Sequence, residues 1–230
     1  MLKFDVITIF PNVFTTYCGE SILKRAQEKK LVQINVHNLR DYTQDKHHST
    51  DDTPYGGGPG MVMMVEPIAS CLEKLRFKCG QKNAKIILLS ARGQKLNQKM
   101  AQDLSRLKNL TLICGRYEGV DQRVSDHLID QEVSIGDYVL TGGELPAMVM
   151  IDVITRLVPG VIKPESLNEE SFSLTDGTAK ATTDGHVLEY PQYTKPEDFK
   201  GWKVPEVLLS GDHKKIKQWK EENTHGISNF

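Results

Sequence analysis

Short apolar runs rich in β-branched residues alternate along the chain with segments of helical spacing. Five runs predict buried strands: Phe4–Phe10, Val32–His37, Lys85–Ser90, Leu110–Cys114 and Glu132–Ile135. Four segments of amphipathic or largely apolar pattern predict helices: Ser21–Lys30, Glu66–Arg76, Leu96–Leu107 and Ala147–Leu157. Because strands alternate with helices, we expect an α/β fold in which a mostly parallel sheet is covered on both faces.

The pattern changes after Pro159. From Val161 to Tyr190 the chain carries six carboxylates, two lysines and few large apolar side chains. A stretch this polar cannot form its own core, so we predict a linker or mobile lid there. A final helix is predicted to begin at Asp212. We therefore expect a sheet domain over 1–160, a linker or lid over 161–190 and a small helical C-terminal domain over 191–230.

Composition narrows the class of protein. The chain has 230 residues, of which 39% are hydrophobic and 26% charged, a profile that excludes fibrous and disordered proteins. Its formal net charge of −1 argues against nucleic-acid binding by bulk charge, although a local basic face stays possible. The four cysteines have no zinc-site or redox-motif spacing, and no apolar run reaches the length of a membrane helix. Reduced thiols and a cytoplasmic location are expected.

Glycine-rich segments carry the candidate chemistry, and the first of them is Pro54–Met61. It holds four glycines among prolines, so neither a helix nor a regular strand fits it. Bare backbone lets another molecule approach closely, but a tight structural turn explains the pattern equally well. Both interpretations stay open.

Two further glycine-rich segments follow predicted strands directly. Cys114–Asp121 comes after one strand, at the sheet edge where α/β proteins place ligands, although Arg116 and Glu118 could simply form an exposed ion pair. Ser134–Pro146 leaves the next strand and enters a helix with Pro146 in its first turn, where proline is tolerated. Arg156, near the end of that helix, either complements the helix dipole or has a functional role.

Common nucleotide-binding and hydrolase signatures are absent from the sequence. It has no phosphate-binding P-loop, no dinucleotide fingerprint, no serine nucleophile elbow and no H-E-x-x-H zinc motif. The adjacent pair His47 and His48 makes a poor metal site, and a solvated loop explains it better. The residue pattern alone thus predicts an α/β protein with three candidate ligand loops.

Taken together, these segments resemble the bacterial tRNA (guanine-N1)-methyltransferases (TrmD), members of the knotted SPOUT class. The resemblance rests on the motifs ITIFP, DDTPYGGGPGMVMMVEP, LICGRYEGVDQRV, SIGDYVLTGGELPAMVMIDVITRLVPGV, EYPQYTKP and VPEVLLSGDH. It implies a SPOUT-type α/β fold with a deep trefoil knot, an exception to the rule that folds are unknotted. It also implies a cytoplasmic homodimer with its active site at the subunit interface, acting on tRNA and on neither DNA nor membranes.

The resemblance further implies methylation of N1 of the guanine at tRNA position 37, with S-adenosylmethionine (SAM) as methyl donor. The implied donor site comprises Leu88, Leu89, Ser90, Gly115, Tyr117, Glu118, Gly119, Ser134, Ile135, Gly136, Asp137, Tyr138, Val139, Leu140, Gly142, Gly143 and Pro146. The implied tRNA contacts are Asp51, Tyr55, Gly57, Gly58, Gly60, Lys214 and Lys215. Magnesium dependence is suggested by the resemblance only, since no residue cluster predicts a fixed metal site.

The implied catalytic residues are Glu170 and Arg156. The family's general base is an aspartate directly before a Ser-Phe pair, and here Glu170 precedes Ser171 and Phe172. Glutamate places its carboxylate more than ~1 Å further out, a shift that can be costly in catalysis. A solvated carboxylate is the alternative for Glu170. The chain also carries roughly ten extra residues in the predicted lid, over 173–183, and stops at Phe230, short of the family's basic extension. A catalytically weak tRNA-binding protein of the same fold is therefore the alternative function.

Overall fold

The structure, a computed structural model, describes residues 1–168, 170–172 and 189–224. The chain divides into two compact units, Met1–Ile162 and Lys163–Phe230. The extra residues predicted for the lid lie outside the described residues. No helix in the described ranges has the length and apolar character that crossing a membrane requires.

The first unit is built on five parallel strands in the order β2-β1-β6-β5-β7. Their bounds are β1 Leu2–Thr8, β2 Val32–Asn38, β5 Ala84–Lys95, β6 Asn109–Cys114 and β7 Gln131–Ser134. A separate short antiparallel pair consists of β3 Asp51–Asp52 and β4 Val62–Met63. The predicted α/β class is confirmed, and each of the five predicted apolar runs forms a strand of the sheet.

Helices cover both faces of this sheet. They are α1 Val13–Cys18, α2 Ser21–Glu28, α3 Val65–Lys74, α4 Gln98–Leu104, α5 Gln122–His127 and α6 Glu144–Thr155, with a 3-10 turn at Leu39–Tyr42. One core packs α1, α2, α4 and α6 against the sheet, and the other packs α3, α5 and the 3-10 turn. Because both faces are buried, central strands such as β1 have almost no exposed position.

The second unit is small, and most of its regular secondary structure among the described residues is helical. Its elements are α7 Pro164–Asn168, the antiparallel pair β8 Asp198–Phe199 and β9 Trp202–Lys203, α8 Glu206–Leu209 and α9 His213–Asn223. Asp212 is the N-cap of α9, which agrees with the prediction that a final helix begins at this residue. On α9, Trp219 packs edge-on against Tyr190 and Tyr193, with ring centroids 6.5 and 6.2 Å away.

Candidate ligand-binding and catalytic site

A cavity of about 330 Å³ lies among β5, β6 and β7 of the first unit. Its walls come from residues 88–92 of β5, residues 115–120 and 122 after β6, and residues 133–136, 138–143 and 146 between the end of β7 and the start of α6. The pairing register of β5 with β7 shifts between Leu89 and Gln94, beside the cavity. Parallel strands end at the same sheet edge, which is where ligands of α/β proteins bind.

Nearly all residues of the predicted donor site line this cavity. Asp137 is the exception, because its exposed carboxylate pairs with the ammonium group of Lys95. The predicted donor set did not include the further lining residues Ala91, Arg92, Arg116, Val120, Gln122, Val133 and Thr141, although Arg116, Val120 and Thr141 lie within the predicted ligand segments. Each of them adjoins a predicted residue along the chain or lies within three positions of one, so sequence proximity is the signal that could have found them.

Gly143 brings two walls of the cavity into direct backbone contact. Its amide donates to the Gly115 carbonyl at 2.8 Å, and the adjacent Gly142 forms an antiparallel bridge with Arg116. A Cβ atom on Gly143 would lie 2.7 Å from the Cα of Cys114 and 2.9 Å from the amide nitrogen of Gly115. Only glycine fits here without displacing the backbone of β6.

The turn after β6 is made at Tyr117 and Gly119, which have positive φ values of 59° and 146°. At Gly115 the constraint is space, since a Cβ atom there would be 3.2 Å from the Leu89 carbonyl oxygen. Tyr117 therefore holds a backbone conformation that is uncommon for a non-glycine residue.

The turn after β7 is fixed by its own side chains. The Ser134 hydroxyl donates to the Gly136 carbonyl at 2.9 Å and accepts from the Gly136 amide at 3.3 Å. The Tyr138 hydroxyl donates to the Ile135 carbonyl at 3.2 Å. These bonds hold the backbone of the third glycine-rich segment against the cavity.

The alternative in which Arg116 and Glu118 pair with each other is wrong. Arg116 donates from Nε to the Glu144 carboxylate at 3.0 Å, and the Glu144 side chain is buried. The side chain of Glu118 instead lies against Gly60, where an added Cβ atom would be 2.6 Å from its Cγ. The amide of Glu118 donates to the Met61 carbonyl at 3.0 Å.

The first glycine-rich segment lies beside the cavity loop. Its four glycines all have positive φ, from 78° to 127°, so backbone conformation rather than close packing requires glycine at most of them. Two bonds join its end to the loop after β6: the Met63 amide donates to the Gly119 carbonyl and the Asp121 amide donates to the Met63 carbonyl, both at 2.9 Å. Tyr55, at the start of the segment, is fully exposed.

Asp51 contacts the cavity loop through a side chain. Burial, and then a hydrogen bond to Asp51, raises the pKa of the Tyr117 phenol above its usual value of 10.0. Tyr117 lines the cavity, whereas Asp51 belongs to β3 and to the predicted tRNA contacts. A side-chain contact and backbone bonds thus connect the two predicted sites.

The two predicted catalytic residues belong to different units. Arg156 is half-buried at the end of α6 in the first unit, where its amide donates to the Asp152 carbonyl at 3.1 Å. Glu170 belongs to the second unit and precedes Ser171, whose hydroxyl accepts from the Glu189 amide at 3.1 Å. Glu189 therefore lies next to the Ser171 side chain.

Lys214 and Lys215 are exposed in the first turn of α9. Their amides donate to the Asp212 carboxylate at 3.1 and 3.2 Å, and the Lys215 ammonium lies 3.5 Å from the same group. Asp212 therefore offsets part of their charge. Within the described residues, no group of three or more His, Cys, Asp or Glu side chains could hold a metal ion.

A parallel sheet whose glycine-rich loops enclose a cavity defines a ligand-binding α/β protein. A family model described as tRNA (Guanine-1)-methyltransferase TrmD matches residues 2–228. The chain is 53% identical to the tRNA (guanine-N(1)-)-methyltransferase of Dictyoglomus turgidum over 223 residues. This aligned region covers 96% of this chain and 84% of the relative. The chain is 46% identical to the enzyme of the same name from Clostridioides difficile over 228 residues, which are 99% of this chain and 94% of that relative. The chain therefore belongs to the TrmD family of tRNA (guanine-1)-methyltransferases.

Proposed function

We propose that the chain catalyses the transfer of a methyl group from SAM to N1 of the guanine at position 37 of tRNA. The observation that carries this proposal is the cavity, because two of the glycine-rich segments on which the resemblance to the family rests form much of its wall. The names of its relatives, which share about half of its residues, support the same reaction.

The cavity suits a donor that is held mainly by backbone groups. Where Gly142 and Gly143 approach the loop after β6, an added Cβ atom would clash with Arg116 and with the backbone of Cys114, so only bare backbone lets the two loops close on each other beside the cavity. We assign donor contacts to the backbone of residues 115–119, 134–140 and 142–143. The donor, when bound, supplies a methyl group that is already activated as a sulfonium.

The chain itself has to prepare the guanine. Guanine N1 carries a proton at neutral pH. Because the pKa of N1 lies about two units above neutral pH, removal of this proton costs about 3 kcal/mol. Glu170 is proposed to accept this proton as general base during methyl transfer. Arg156 is proposed to stabilise the negative charge that develops at O6.

Contacts with tRNA are proposed for the segment from Asp51 to Gly60 and for Lys214 and Lys215. An unstacked anticodon-loop base offers its Watson–Crick edge, where N1 and O6 both lie. Tyr55 in the first unit and Lys214 in the second are each exposed on the surface of their own unit, where a macromolecule can contact them.

A homodimer is the assembly that we propose. Large apolar side chains stay exposed at the cavity loop and on α6, with Val139 87%, Leu145 57% and Val149 45% exposed. On α1, which packs against α6, Val13 and Tyr17 are also exposed. A second copy of the chain would remove such a surface from water. We further propose that the chain forms the trefoil knot of the SPOUT class and that the protein is located in the cytoplasm.

Transfer of label from radiolabelled SAM to tRNA tests the function. A transcript with G at position 37 should accept label, and one with A should not. The alternative of a tRNA-binding protein with weak catalysis is favoured by Glu170 in place of an aspartate. Tight binding of the G37 transcript without labelling would support that alternative. Repeating the assay after chelation of divalent cations tests the predicted magnesium dependence.

A further inference from the structure

A buried carboxylate lies behind the cavity, outside the predicted set of donor contacts. Glu144, the first residue of α6, is 4% exposed, and it uses both oxygens. Its Oε1 accepts from the Thr8 hydroxyl at 2.8 Å, and its Oε2 accepts from Nε of Arg116 at 3.0 Å. Thr8, the last residue of β1, is itself fully buried, and its hydroxyl accepts from the Phe10 amide at 3.0 Å.

Arg116 connects this carboxylate to the cavity walls. Its Nη1 donates to the Thr141 carbonyl at 3.1 Å, and its guanidinium lies 4.5 Å from the centroid of the Phe10 ring. Arg116 and Thr141 both line the cavity, one on the loop after β6 and the other on the loop before α6. The pair of Arg116 and Glu144 therefore spans the two walls that meet at Gly143.

The stability of the fold does not by itself explain why a charged carboxylate occupies the buried position of Glu144. The buried Glu144 carboxylate and the partly buried Arg116 guanidinium lose hydration, and apolar residues of similar volume often serve stability equally well. What the ion pair adds is geometry, because a planar guanidinium bonded at two edges fixes its orientation. Together, the bonds of Glu144 and Arg116 join the end of β1, the loop after β6, the loop before α6 and the start of α6.

We infer that Glu144 is a positioning residue for the methyl donor. Through Arg116 and Thr8 it sets the separation of the loops 115–119 and 140–143, and it touches neither the donor nor the guanine. This inference rests on the proposed function, since it assumes that SAM binds in this cavity. It assigns to Glu144 an effect on donor affinity rather than on the chemistry of transfer.

The main variant is Glu144→Gln, which removes the charge and leaves a satisfiable network. The amide oxygen can accept from Arg116, and the amide NH₂ can donate to the Thr8 hydroxyl oxygen. Calorimetry should show SAM bound about tenfold to a hundredfold more weakly, as expected when binding loops shift by a fraction of an ångström. Turnover at saturating SAM should fall by a smaller factor than SAM affinity, and the pH dependence of turnover should match that of the wild type.

Asp5→Asn is the matched control. Asp5 is a buried carboxylate on the same strand as Thr8, 5% exposed, and it pairs with His37 at 2.8 Å outside the cavity. Its variant should lower thermal stability while SAM affinity stays at the wild-type value. Equal losses of SAM affinity in both variants would show a general effect of destabilisation and would overturn the inference.

A measurement without donor separates the inference from the proposed function. Hydrogen–deuterium exchange of the donor-free Glu144→Gln variant should be faster at the Gly143 amide, which bonds across the two walls. Unchanged exchange and unchanged SAM affinity in this variant would overturn the inference while the function stands. If the wild type does not bind SAM, that result would overturn both the inference on Glu144 and the proposed function. Should the variant not fold, Arg116→Lys provides the same test, because lysine cannot bond Glu144 and Thr141 with one planar group.

Discussion

Gly143 lies where the loop before α6 crosses the end of β6, and one added methyl group there tests the role of the cavity. In the Gly143→Ala variant the new Cβ atom would be 2.7 Å from the Cα of Cys114, 2.9 Å from the nitrogen of Gly115 and 3.1 Å from the carbonyl carbon of Cys114. All three neighbours are backbone atoms, so no side chain can rotate away to relieve the contact.

The expected size of the effect follows from these distances. Contacts between carbon atoms are optimal at about 3.5 Å or more, so the walls must separate by roughly 0.8 Å. Overpacking of this kind costs about 1–3 kcal/mol, which corresponds to a fall in Tm of about 2–12 °C for a chain of this length. The movement also weakens the bond from the Gly143 amide to Gly115, and SAM affinity should fall at least about tenfold.

Calorimetric titration with SAM and thermal unfolding measure the two effects on the same preparation. Gly19→Ala is the control, since its Cβ atom would be 2.9 Å from the Thr15 carbonyl oxygen at the end of α1, away from the cavity. It should lower Tm but keep SAM affinity. A stably folded Gly143→Ala variant with wild-type SAM affinity would refute the placement of the donor between these loops.

Three further predictions concern the reaction and pH. Glu170→Gln should lower turnover at least about a hundredfold without changing SAM affinity, because a general base is lost; the matched variant Glu189→Gln should keep turnover, and the reverse pattern would move the base to Glu189. Arg156→Ala should lower turnover by a similar factor in single-turnover assays, while a loss confined to SAM binding would contradict its role at O6. Burial raises the pKa of the Cys71 thiol and of the Tyr42 phenol to about 12, from 9.0 and 10.0. The folded chain then keeps protons that the unfolded chain loses, so the free energy of unfolding should fall from about pH 9 to 12; urea unfolding should show a smaller fall for Tyr42→Phe, and an equal fall would exclude its contribution.

The strands were predictable because burial on both faces leaves nearly continuous apolar runs. The helices α1 and α5 were not, since Val13–Cys18 and Gln122–His127 are six residues long and bury only one or two side chains each. Too few positions repeat in such a segment for a helical period to emerge. The polar end of β5 was missed for a related reason, because its residues after Ser90 pair with β7 beyond a register shift.

The loops of the candidate site were predictable because glycine marks them, whereas the interactions between loops were not. Arg116 and Glu118 are two positions apart and of opposite charge, so the sequence left a local ion pair open as an alternative. The actual partner, Glu144, lies 28 positions away and is brought close only when β6 and α6 pack together. The composition of α6 likewise does not distinguish the side of the helix that faces the core from the apolar side left exposed at Leu145 and Val149.

The two predicted binding regions form one hydrogen-bonded unit. Met63 bonds to both sides of the turn at Gly119 and Asp121, and the Glu118 amide bonds to Met61. The loop after β6 and the end of the glycine-rich segment that we assign to tRNA are therefore held to each other by backbone hydrogen bonds. Under the proposed function, a substrate that restricts one of them should restrict the other as well, so we expect the two substrates to bind cooperatively. Linkage requires this coupling to be reciprocal, so tRNA should raise the affinity for SAM by the same factor as SAM raises the affinity for tRNA.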